Sequence, residues 1–113
     1  MEISSQSADH DALVIALREA HLDASNVREF KEALQRLVTP AASRVVLDLD
    51  GVKFIDSAGL GALIACLRQL DGRRGALRLC CLTPTVQALL ALMRMDRVFL
   101  IHPDRQDAVA AFA

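Results

Sequence analysis

Tryptophan and tyrosine are absent from these 113 residues, and phenylalanine occurs only four times. Surfaces that hold single-stranded nucleic acid usually present rings on which bases stack, and this chain has few to present. Nor is there a basic surplus: 13 lysines and arginines face 14 aspartates and glutamates, for a net charge of −1. Without a positive stripe to neutralise phosphates, direct binding to DNA or RNA is not expected. Long apolar runs are missing as well. The longest uncharged one, Ala58 to Leu67, falls far short of the ~20 residues that a membrane-crossing helix needs, so no membrane insertion is expected. The opening residues MEISSQSADHD are polar and lack the charged-then-apolar order of a secretory leader, which leads to the expectation of a cytoplasmic protein.

Cysteine is scarce: Cys66, Cys80 and Cys81. An odd number with two adjacent members makes no disulfide framework, and no Cys-x-x-Cys spacing exists. The plain reading is three reduced thiols behaving as small hydrophobes in a core. His10, His21 and His102 show neither an i, i+4 pair nor a Cys/His cluster, so a zinc centre has little support. No cofactor is expected.

What the chain does have is material for one core, since 53% of it is apolar. Its length suits a single domain over residues 1–113. Residues 12–17 (ALVIAL) follow a polar stretch, SADHD, able to turn a hairpin whose first strand is residues 2–7. Val27, Phe30, Ala33, Leu34, Leu37 and Val38 recur on one face of a 3.6-residue period, which predicts a helix over 27–38. Asn26 and Glu29 have the spacing of a capping box at its start, and Pro40 closes it.

RVVLDLD (44–50) is apolar on both sides, as in a strand covered on both faces. A second helix is predicted from Ser57 to Leu70, then a DGRRG turn and a strand over 76–82 (ALRLCCL). Thr83-Pro84 opens a third helix, with threonine at the cap and proline at the first helical position. VFLIH (98–102) reads as a last strand and residues 104–112 as a closing helix. This α/β alternation predicts a mixed, mostly parallel sheet of four to five strands, preceded by an antiparallel hairpin and joined by about four helices.

The unusual stretch is FIDSAGLG (54–61). Gly59 and Gly61 stand in the first turns of a helix, where each costs roughly 1 kcal/mol relative to alanine. Ser57 has a plain role available, accepting a hydrogen bond from an early helical amide. Asp56 has one too, as a negative charge at the positive end of the helix. The glycines could let the helix nestle against a strand, but they would also leave the Ser57 hydroxyl bare to an approaching macromolecule. A nucleophile elbow requires glycine two places before the serine, where Ile55 stands. No GxxxxGK[ST] phosphate loop exists either. Catalysis by this chain is not expected.

The segment VVLDLDGVKFIDSAGLGALIACLRQL (45–70) resembles the signature of the STAS-domain family, the anti-sigma-factor antagonists. The match rests on Asp56, Ser57, Gly59, Leu60 and Gly61. The order of elements agrees from about residue 12 to 112, including TPTVQALLALMRMDRVF (83–99). A second family motif, Gly-Glu-Leu-Asp, is here Ala20-His21-Leu22-Asp23, of which Leu22 and Asp23 match.

The resemblance implies a STAS-like fold with its helices packed mainly on one face. It implies that an anti-sigma factor, itself a serine kinase, phosphorylates Ser57. It further implies that the unmodified chain binds that kinase and releases a sigma factor, that phosphorylation ends the binding, and that a PP2C-type phosphatase resets it. Candidate partner contacts are Asp23, Asn26, Asp56, Ala58, Gly59, Leu60 and Gly61, and the free chain is expected to be a monomer. The alternative is a STAS subunit of an ABC-type lipid-transport complex. That group shares the Asp-Ser/Thr-Ala-Gly-Leu pattern, which Ala58 fits, whereas Gly61 and Met93-Arg94-Met95-Asp96-Arg97 look closer to the sigma-regulatory branch.

Overall fold

The computed structural model describes all 113 residues. In chain order the elements are β1 (Ile3–Ser7), β2 (Leu13–Leu17), β3 (His21–Leu22), α1 (Val27–Leu37), β4 (Arg44–Asp48), β5 (Phe54–Ile55), α2 (Ser57–Asp71), β6 (Ala76–Cys80), α3 (Pro84–Leu92), β7 (Leu100–His102) and α4 (Arg105–Ala110). Five strands form one sheet in the order β1-β2-β4-β6-β7. Only the β1–β2 hairpin is antiparallel; the other neighbours are parallel, as the strand–helix alternation predicts.

Alternation of side chains across the strands divides the sheet into two faces. On one, Ile15, Leu47, Leu79 and Ile101 stand side by side in register. They pack with Phe30 of α1, Leu63 of α2 and Leu90 of α3 in the main core. Burial of each such large side chain contributes about 1.5–3 kcal/mol. On the other face Val14, Val46 and Cys80 meet Ala108 of α4. Residues 45–48 of β4 are therefore buried on both sides, as their apolar pattern requires. Three helices cover one face and α4 alone covers part of the other.

Local chemistry fixes the helix starts. Thr83 accepts the amide of Val86 at 3.3 Å, capping α3, and donates to the Val52 carbonyl at 2.6 Å, which ties the β4–β5 connection to that helix. The expected last strand over 98–102 begins later, at Leu100. A 3-10 turn over Met95–Arg97 occupies the preceding residues, and it delivers Phe99 into the core.

Two differences bear on function. Asn26 does not cap α1 with its side chain. Its ψ of −1° departs from the extended backbone that side-chain capping uses, and Glu29 takes the N-terminal ammonium instead of closing a box. The second difference is a separate two-strand parallel ladder, β3 with β5, which pairs His21 with Phe54 and Leu22 with Ile55. Leu22 and Ile55 are buried, whereas Phe54 is 48% exposed.

Candidate functional site

The β3–β5 ladder delivers the chain into α2 at Asp56. This residue, not Ser57, is the N-cap. One carboxylate oxygen of Asp56 accepts the Gly59 amide at 2.8 Å, and the other accepts the Ala24 amide at 3.0 Å. Ser57 is the first helical residue, exposed and relieved of capping duty.

The two glycines separate cleanly. Gly59 is buried, and a Cβ there would collide with the Leu22 carbonyl oxygen and stand 3.1 Å from Ile55 Cγ2. Its missing side chain allows α2 to lie against β3, where the Asp56 amide reaches the Leu22 carbonyl at 3.4 Å. Gly61 is exposed with nothing within 4 Å of its Cβ position. Packing thus explains the first glycine and leaves the second as open surface one turn from Ser57.

The loop that meets Asp56 is tightly organised. Asp23 Oδ1 accepts both the Ser25 amide, at 3.0 Å, and the Ser25 hydroxyl, at 2.6 Å, and His21 Nδ1 lies 3.1 Å from it. The Ser25 hydroxyl holds the Asp23 carboxyl below its ordinary pKa, with the Ser25 amide and His21 acting in the same direction. Asn26 accepts the Asp23 amide at 3.0 Å and donates to the His21 carbonyl at 2.8 Å, so its side chain staples the loop from beneath.

The expected contact residues therefore occupy two levels. Asp23, Asp56, Ser57, Ala58 and Gly61 reach the surface. Asn26, Gly59 and Leu60 lie under it, at most 9% exposed for Asn26 and Leu60. In the free chain Asn26 spends its amide on the loop, Gly59 lies against the Leu22 carbonyl, and Leu60 belongs to the core. Phe54 and His21, adjacent in register on the outer side of the ladder, are surface groups that motif reading passed over. The apolar pair Leu22 and Ile55, each following an outward residue, is the signal that marks them. The one grouping of metal-binding side chain types, Asp48 with Cys80 and Cys81, stands elsewhere, at the ends of β4 and β6.

Comparison with known proteins agrees with the fold. The STAS domain model matches residues 5–108. The Bordetella bronchiseptica protein BtrV, whose name gives it as a candidate anti-sigma factor antagonist, is 31% identical over 102 residues, 90% of this chain and 88% of that one. An anti-sigma factor antagonist from Mycobacterium paratuberculosis superposes with a TM-score of 0.81 at 25% identity, covering 98% of this chain and 94% of that one. The Bacillus cell fate determinant SpoIIAA, in its phosphorylated form, has the same fold, with a TM-score of 0.72 at 17% identity and coverage of 99% and 100%. This chain belongs to the STAS-domain family of anti-sigma-factor antagonists.

Proposed function

We propose that this protein binds an anti-sigma serine kinase while Ser57 is unmodified, so freeing a sigma factor, and lets go once Ser57 is phosphorylated. The observation that carries this reading is the division of labour at the start of α2. Asp56 caps the helix and joins it to the Ala24 amide, and the neighbouring Ser57 is exposed. The phosphorylated form of SpoIIAA, a protein of the same fold, supports the same direction.

The chemistry is a phosphoryl transfer. The Ser57 hydroxyl oxygen takes the γ-phosphoryl group of ATP held by the kinase, ADP leaves, and the hydroxyl proton is released. The product carries about −1.5 to −2 charges. Its own domain tolerates that charge, because helix N-terminal amides and dipole favour an anion. The penalty falls on the complex, where the phosphate is desolvated beside Asp56 and Asp23. A cost of about 2.8 kcal/mol weakens binding roughly a hundredfold. A PP2C-type phosphatase removes the group and restores binding. In this reading the protein is a regulated binding module and not a catalyst.

The test is incubation of the chain with the cognate kinase and ATP, followed by mass spectrometry and a binding measurement. One phosphate on the wild type, none on Ser57→Ala, and persistent binding by Ser57→Ala are expected. Tight binding by Ser57→Asp, equal to the wild type, would overturn the charge-repulsion account.

A further inference from the structure

Cys80 ends β6 and Cys81 follows it, and neighbouring side chains of an extended chain leave on opposite faces. Here they do not. Cys81 has a φ of 60°, in the left-handed region that glycine favours, and both residues join the apolar cluster under α4. Their sulfurs are 3.6 Å apart, and a carboxylate oxygen of Asp48 lies within 4.8 Å of each. Two thiolates bound to one tetrahedral zinc ion at about 2.3 Å stand about 3.8 Å from each other. The pair is already spaced for such an ion.

We propose that Cys80 and Cys81 form a two-thiolate binding site for a thiophilic divalent cation of the zinc class, with Asp48 as the carboxylate beside it. Charge favours the assembled complex. Each thiol gives up one proton to solvent on binding, so two thiolates and a divalent cation sum to zero. That neutral unit adds no charge beside Asp48, which Arg105 holds at 2.7 Å and Arg18 at 3.2 and 3.3 Å. A bare cation would meet those two guanidinium groups, and a bare thiolate pair would meet the carboxylate.

Oxidation to a disulfide fits less well. Adjacent residues across a trans peptide have Cα atoms about 3.8 Å apart, short of the usual disulfide span of about 4.4–6.8 Å. Cys81 is partly exposed, which gives an ion a route in.

The experiment is a zinc titration of the reduced full-length chain against a chromophoric chelator, with cobalt(II) as a spectroscopic replacement for zinc. One equivalent is expected to bind, with a sulfur-to-cobalt charge-transfer band. Affinity should fall in Cys80→Ser and in Cys81→Ser by at least the roughly tenfold that loss of even an outer partner costs. It should be unchanged in Cys66→Ser. If circular dichroism shows that Cys80→Ser does not fold, Cys81→Ser, at the partly exposed position, decides the matter. The proposal is overturned by an absent band in the wild type, by binding that survives in the Cys80→Ser/Cys81→Ser double variant, or by an equal loss in Cys66→Ser.

Discussion

The amide of Ala24 donates to Asp56 Oδ2 at 3.0 Å, across 32 positions of sequence. Through this bond the loop before α1 and the first turn of α2 become one surface, since the other oxygen of the same carboxylate caps the helix.

Replacing Asp56 should therefore cost more than an ordinary cap. Loss of a capping side chain costs about 0.5–2 kcal/mol, and the Ala24 amide loses its acceptor as well. Asp56→Ala is expected to lie at or above the upper end of that range in urea unfolding. Asp56→Asn keeps only one carbonyl oxygen for two amides and should fall between it and the wild type.

The two glycines predict opposite signs. Gly59→Ala forces a methyl into the Leu22 carbonyl, and such overpacking costs about 1–3 kcal/mol. Gly61→Ala meets open space in a helix and should stabilise by about 0.5–1 kcal/mol. If Gly61 is part of the docking face, that stabilised variant should bind the kinase more weakly. Denaturation and binding measured on the same two variants check both statements.

Ser57→Asp places a negative charge in the first turn of α2, where the dipole favours it by about 0.3–1 kcal/mol. Its unfolding free energy should equal or slightly exceed that of the wild type while kinase binding is lost. A variant that loses binding because it unfolds would contradict this, and thermal denaturation tells the two apart.

Asp48 makes stability depend on acid. Burial by itself would raise its pKa, but hydrogen bonds from Arg18 and Arg105 and from the Asp50 amide outweigh burial and bring it down from 3.8 to about 2. Because the folded value lies below the unfolded one, the stabilisation is complete above about pH 4 and is lost as the pH falls toward 2. Its size is about 2 kcal/mol. Urea unfolding followed from pH 6 to pH 2 should show this loss, and Asp48→Asn should remove that part of the pH dependence.

Much of the architecture was legible because several signals agreed at each element. The stripe through Phe30 and Leu34 marks α1, Thr83-Pro84 marks the start of α3, and the doubly apolar RVVLD marks a central strand. The β3–β5 ladder escaped because two residues carry no period. The side of the sheet taken by α4 escaped because a helix with a single buried alanine has almost no stripe to read. At the site, Asp56 and Ser57 are both capable caps, and the extended backbone at Asp56, with its carboxylate on the Gly59 amide, decides between them. The inward turn of Asn26 is equally invisible in sequence, since it depends on carbonyl and amide groups of the loop that it staples.

The close approach of α2 to the Leu22 carbonyl carries one more implication. With no side chain at position 59, the helix rests directly on main chain, and main chain does not change when residues are exchanged. The side chains of the outward neighbours His21 and Phe54 take no part in that contact, so exchanging them leaves the seat of the helix that bears Ser57 in place. Under the proposed switch, the surface beside Ser57 can then be altered while the backbone that presents its hydroxyl stays as it was.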